Sequence, residues 1–136
     1  MKSQIKYFYL LNFLLFLTAC GAGSISTDPG LGVTNVEATE EASNGDTAVI
    51  TLSWTPPTTY TNNEQMNDLS GYKIYFGTSS DNLDFLADVG SNLTSTVIEN
   101  DLRLVKGNTY YFGITAYNSI NIESAMSEVI MVELAQ

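Results

Sequence analysis

Histidine is absent from all 136 residues, and cysteine occurs once, at Cys20. Without an imidazole the chain cannot assemble a Ser-His-Asp or Cys-His nucleophile system, nor a histidine-ligated zinc site. Positive charge is scarce as well: five Lys and Arg stand against fifteen Asp and Glu. Such a balance repels nucleic acid and anionic lipid headgroups, so neither is expected as a partner. Long hydrophobic runs are missing too, since the most apolar stretch, residues 7–17, is too short for a comfortable membrane span. Carboxylates remain as the reactive groups. A pair of them can hydrolyse glycosides, but only in a cleft that raises the pKa of one, and a lone small domain rarely supplies such a cleft. The chain therefore reads as a non-enzyme without a cofactor.

The first residues are a targeting segment and stand outside the fold. Lys2 and Lys6 precede the apolar run, which ends in Leu17-Thr-Ala-Cys20, the charge, length and small-residue pattern of a secretory signal. Leu-Thr-Ala-Cys resembles the lipobox of bacterial lipoproteins. The resemblance implies that diacylglycerol is attached to the Cys20 thiol, that the chain is cut before it, and that the new amine is acylated. Two or more acyl chains, at about 0.8 kcal/mol per buried methylene, hold a protein on a membrane where one chain is marginal. The alternative is an ordinary cleaved signal with Cys20 as a free thiol, which leaves a lone cysteine in a secreted chain to be explained. Gly21 follows where the lipoprotein family tends to place aspartate for inner-membrane retention, so in a cell with two membranes the outer one is favoured. The expected address is the cell envelope.

Three segments follow: a signal over 1–19, the lipidated cysteine with a Gly- and Ser-rich tether over 20–32, and one domain over 33–136. Removal of the signal leaves 117 residues with fifteen acids against Lys73, Arg103 and Lys106, a net charge of −12.

Within the domain the dominant signal is period-two alternation. Residues 109–118, Thr-Tyr-Tyr-Phe-Gly-Ile-Thr-Ala-Tyr-Asn, put Tyr110, Phe112, Ile114 and Ala116 on one face and Tyr111, Gly113, Thr115 and Tyr117 on the other. This stretch is expected to be the central strand. Tyr110 follows Leu104 across a Lys106-Gly107-Asn108 corner, an arrangement like the tyrosine corner of antiparallel sandwiches, in which the hydroxyl bonds backbone left open by the corner. Residues 47–54 alternate with Ala48, Ile50, Leu52 and Trp54 inward, and residues 71–76 with Tyr72, Ile74 and Phe76 inward. Weaker strands are expected over 33–39, 85–89, 95–98 and 127–134. Asn44-Gly45 marks a hairpin turn, Pro56-Pro57 ends a strand, residues 58–68 form a long polar loop, and residues 77–82 form a turn. Seven short strands without helical period argue for an antiparallel β-sandwich of about 100 residues.

Leu52-Ser-Trp54-Thr-Pro-Pro57, Leu69-Ser-Gly-Tyr72-Lys-Ile74-Tyr-Phe76, Leu104-x-x-Gly107-x-Thr109-Tyr110 and Ile114-Thr-Ala116-Tyr-Asn118 resemble the fibronectin type III domain in order and spacing. The bacterial form of that domain is the nearer likeness, with a Tyr-Gly-Thr-Ser-like turn after the third strand and, here, Asn121-Ile122-Glu123-Ser124 before the last. Lys106 departs from the proline common at its position. The resemblance implies an immunoglobulin-like sandwich of seven strands whose third and central strands are neighbours. The absence of a Cys…Trp…Cys pattern separates the chain from antibody-type domains.

If those strands are neighbours, Tyr75, Tyr111 and Tyr117 project from the outer face of their sheet. Tyrosines suit protein contacts and sugar stacking, and serve equally as cross-strand pairs on a solvent-facing sheet. Ile120 and Ile122, in the loop before the last strand, are the second candidates for contact, unless one tucks under the end of the sandwich. That loop carries no Arg-Gly-Asp, so integrin binding does not carry over from animal relatives. Asp81, Asp84 and Asp88, with Asn82 nearby, are oxygen ligands of the kind calcium takes, but their spacing is not an EF-hand loop and solvated turn residues are the plainer account. The functional expectation is a lipid-anchored, non-catalytic module that binds a protein or glycan. The alternatives are a structural spacer or assembly subunit of an envelope complex, and an accessory domain of a polysaccharide-degrading system.

Overall fold

The computed structural model describes residues 32–41, 48–98 and 104–136. Cys20, the segments over 1–19 and 20–31, the Asn44-Gly45 turn and Arg103 lie outside the described residues. Seven strands follow in chain order: β1 (Thr34–Glu41), β2 (Val49–Thr55), β3 (Leu69–Ser79), β4 (Asn82–Gly90), β5 (Ser95–Ile98), β6 (Thr109–Asn118) and β7 (Ile130–Glu133). They form two antiparallel sheets, one ordered β1-β2-β5 and the other β4-β3-β6-β7. The described residues contain no helix, and the fold is the expected seven-stranded β-sandwich.

The inward positions that alternation marks in β2, β3 and β6 form the core, and in β2 burial alternates as the sequence does; in the middle of β6 the outer-face Gly113 and Thr115 are buried too, beneath Met126 and Glu123. Ile50, Leu52 and Trp54 from one sheet pack against Tyr72, Ile74, Phe112 and Ile114 from the other. The Trp54 and Tyr110 rings share this interior, 4% and 7% exposed. Trp54 meets Tyr72 edge-on with ring centroids 5.1 Å apart, and Phe76 stacks on Tyr110 at 5.4 Å. Aromatic contacts of this type add about 0.5–1.5 kcal/mol each beyond the area they bury. The corner before β6 closes as expected: the Val105 amide donates to the Tyr110 hydroxyl at 3.0 Å, and Gly107 supplies the left-handed residue of the turn at φ +79°.

β1, β2, β3, β4 and β7 differ in extent from the sequence expectation, β2 by running from Val49 to Thr55 in place of 47–54. β1 begins at Thr34 and runs to Glu41, with Asn35 at φ +49° and a bulge between Thr34 and Glu37. β3 and β4 run on to Ser79 and from Asn82, so the turn between them shrinks to Ser80-Asp81. Gly77 permits this, because a Cβ there would stand 2.3 Å from the Asn82 carbonyl oxygen. Residues 58–68 are not featureless: Thr59 bridges Gln65, the Met66 amide donates to the Thr58 carbonyl at 2.9 Å, and Met66 is buried. Finally, β7 starts at Ile130, not at 127, because Ser124 and Ser127 pair with β6 through their hydroxyls as well as their main chain.

Candidate functional site

The outer face of the β4-β3-β6-β7 sheet is set by register. Lys73 lies opposite Thr115 on β6 and Asp88 on β4, and Tyr75 lies opposite Gly113 and Phe85. A bulge in β4 between Phe85 and Ala87 re-aims the strand, so that Phe85 joins Tyr75 on the outer side while Leu86 packs toward the core. The turn after β6 then brings Glu123 back beside Tyr117. Asn118 builds that turn: its buried side-chain carbonyl accepts the Ile120 and Ile122 amides at 3.2 and 2.9 Å.

Glu123 is the hub. One carboxylate oxygen pairs with the Lys73 ammonium; the other accepts the Tyr75 hydroxyl at 2.8 Å and the Thr115 hydroxyl at 2.9 Å. Lys73 also stands 5.5 Å from the centroid of the Tyr117 ring, and the Tyr117 hydroxyl donates to Asp88 at 2.8 Å. Tyr117 lies across Gly71, where a Cβ would be 2.5 Å from its hydroxyl oxygen. The electrostatics follow from these contacts. Burial pushes the Glu123 carboxyl up, but the bonds from Lys73, Tyr75 and Thr115 and the lysine charge outweigh it, and the group titrates below its ordinary value. Its bond to Glu123 holds Lys73 above the usual lysine range against the opposing effect of burial. Tyr75 is raised by burial and then by Glu123, and Tyr117 by its bond to Asp88.

Beside this polar network runs an apolar strip. Phe85 is 58% exposed and meets Tyr75 edge-on at 6.1 Å. Met126 and Leu83 lie over Gly113, where a Cβ would be 2.6 Å from the Met126 sulfur, and Met131 on β7 is 61% exposed.

The five candidate residues are therefore not one site. Tyr75 and Tyr117 are joined through Lys73, Glu123 and Asp88. Tyr111 stands at the other end of β6, opposite Gly77 and Met131. Ile120 is exposed at the tip of the turn and Ile122 is half-buried. The three aspartates are also separated: Asp81 is in the β3–β4 turn, Asp84 pairs opposite Phe76, and Asp88 opposite Lys73. Among the described residues no group of three such side chains is arranged to hold a metal ion. Sequence reasoning missed Glu123 and Phe85. Glu123 lies in a motif of the resemblance, yet no period places a loop residue over a strand, and Phe85 reaches the outer face only through the bulge.

No protein-family model matches the chain, and no curated protein matches it significantly. Solved structures do match in fold. A fibronectin type III-like protein from Clostridium thermocellum superposes with a TM-score of 0.58 at 16% identity, covering 80% of this chain and 97% of that one. A human fibronectin type III domain gives 0.56 at 20% identity, over 81% and 79% of the two chains. A β-1,2-glucanase from Parabacteroides distasonis gives 0.51 at 16% identity, over 79% of this chain but 14% of the enzyme. At these identities the likeness concerns the fold: the described residues form a fibronectin type III-like domain.

Proposed function

We propose that the chain is a lipid-anchored, extracytoplasmic binding module that contacts a protein or glycan through the outer face of the β4-β3-β6-β7 sheet and performs no chemistry. The observation that carries this reading is the pairing of Phe85, 58% exposed, with Tyr75, whose hydroxyl is fixed on Glu123. A large aromatic held against solvent beside a pre-ordered polar network is the composition of an interface anchor, which needs little ordering on binding. Glu123, held ionised by three donors, is unsuited to act as a general acid, which needs a raised carboxyl. The anchor is assigned to Cys20 and the address to the envelope, at the outer membrane where a cell has two, on the Leu-Thr-Ala-Cys-Gly sequence.

The likeness to one-seventh of a glucanase chain favours a second reading, an accessory domain beside a polysaccharide-degrading enzyme. A Tyr75→Ser/Phe85→Ser variant tests both. Its binding in crosslinking pull-downs from living cells, and its retention on a panel of insoluble glycans, are compared with wild type. Loss of one bound class with an unchanged melting temperature identifies that class as the partner, and capture unaffected in both assays removes this face from consideration. Fatty-acid labelling that persists in Cys20→Ser overturns the anchor.

A further inference from the structure

β1 and β7 are both edge strands, one from each sheet, and they run along the same side of the sandwich. Between them is an open seam of about 520 Å³ lined by residues 36–40 of one strand and 130–133 of the other. Val36 and Ala38 on one side and Ile130 and Val132 on the other are half-buried against the core and form an apolar floor. Glu37 and Glu133 stand on the rim, and Glu40, whose carboxylate accepts the Ala135 amide at 3.4 Å, closes one end. No basic side chain lines the seam among the described residues.

We infer that this seam receives an extended segment of a partner protein in which lysine or arginine alternates with small apolar residues. Edge strands present unpaired main-chain donors and acceptors to an incoming strand. The five residues of β1 along the seam span about 17 Å at 3.4 Å per residue, enough for a short strand. Because side chains of a strand alternate, a segment added to β1 turns one set toward the apolar floor and the other out of the β1-β2-β5 sheet beside Glu37, where a cation is favoured, while Glu133, pointing out of the facing sheet, adds its charge from across the seam. The same charges select against a second copy of this chain, since edge-to-edge pairing would set acid against acid. The bulge between Thr34 and Glu37 and the left-handed Asn35 disrupt the start of β1, so strand addition falls on the regular part of the strand that follows. This inference is independent of the outer-face reading, because Tyr75 and Phe85 take no part in the seam.

The test is a titration of the isotope-labelled full-length chain in detergent with a short synthetic peptide alternating lysine and valine, followed by amide NMR. Shifts are expected at residues 36–40 and 130–133, weakening as salt rises. Glu37→Lys/Glu133→Lys should lower affinity about tenfold or more while the amides of β2, β3 and β6 keep their native dispersion. A peptide alternating glutamate and valine should not bind. Equal binding of both peptides, shifts confined to the β4 or β5 edge, unchanged affinity of the variant, or self-association through β1 without peptide would each overturn the inference.

Discussion

The Ser127 hydroxyl accepts the Ile114 amide at 3.0 Å while the Ser127 amide donates to the Ile114 carbonyl at 2.9 Å. Two residues further along β6, Ser124 repeats the pattern with Ala116 at 3.0 and 2.8 Å. Two serines thus stand in for the strand that would otherwise pair with this half of β6, leaving the intervening chain free to turn and place Glu123 on the outer face. Ile114 and Ala116 are fully buried, so water cannot replace a lost partner cheaply.

Ser127→Ala and Ser124→Ala should each cost about 1–3 kcal/mol, the penalty of a buried amide left without an acceptor. In a domain of this size 1 kcal/mol lowers the melting temperature by about 4–8 °C. Urea unfolding measures the loss, and hydrogen exchange at Ile114 should quicken in Ser127→Ala. Ser80→Ala, at an exposed turn, is the control and should match wild type.

β6 was legible in the sequence to the residue because apolar Phe112, Ile114 and Ala116 alternate with Tyr111, Gly113, Thr115 and Tyr117; that Gly113 and Thr115 are buried too, under chain that follows β6, was not legible. Trp54 and Tyr72 were legible by the same alternation. Main-chain needs met by side chains were not legible, and they decide where β7 starts. The outer-face tyrosines could be placed on the correct face, but their partners could not, because Glu123 arrives by a turn and Phe85 by a bulge, and neither obeys a period.

Tyr110→Phe isolates the corner. The ring keeps its stacking on Phe76 while the Val105 amide loses its acceptor, so the cost should be about 0.5–1.5 kcal/mol. Tyr110→Ala also leaves a cavity and should cost about 3–5 kcal/mol. Equal losses for the two variants would show that the hydroxyl, and not the ring, carries the contribution.

The Glu123 hub should give stability a dependence on pH at both extremes. The folded-state pKa of Glu123 lies below its ordinary 4.5, so its contribution is present above 4.5 and is lost as pH falls through the folded value. Lys73 lies above its ordinary 10.5, so its contribution is complete below 10.5 and is lost as pH rises through the folded value. Glu123→Gln should lower stability by about 0.5–1 kcal/mol at neutral pH and by nothing once the wild-type carboxyl is protonated. Urea midpoints of both proteins across the acid range measure this; a constant gap at all pH values contradicts it.

Gly71→Ala tests why glycine faces Tyr117. The new Cβ would lie 2.5 Å from the Tyr117 hydroxyl oxygen and 2.6 Å from the Val89 carbonyl oxygen. The side chain can swing away, at the cost of its bond to Asp88, but the carbonyl belongs to the β4 main chain. The substitution should cost about 1–3 kcal/mol. Adding Tyr117→Ser should recover only part of it, and full recovery would assign the whole clash to the ring.

Tyr72→Phe should be neutral or stabilising, an unusual outcome for a change at a fully buried position. The Tyr72 hydroxyl and the Trp54 indole nitrogen are both buried without a hydrogen-bond partner. Burial raises the Tyr72 pKa, and the nearby indole opposes that shift without reaching hydrogen-bond geometry. Removing the hydroxyl therefore discards a desolvated polar atom and keeps the ring's edge-on contact with Trp54 at 5.1 Å. Removing a buried group that has no partner spares a desolvation penalty of about 1–3 kcal/mol, offset by the small gap left behind. A net gain of up to about 1 kcal/mol is expected in urea unfolding. A loss greater than that would mean that hydroxyl and indole bond each other in solution, directly or through a trapped water.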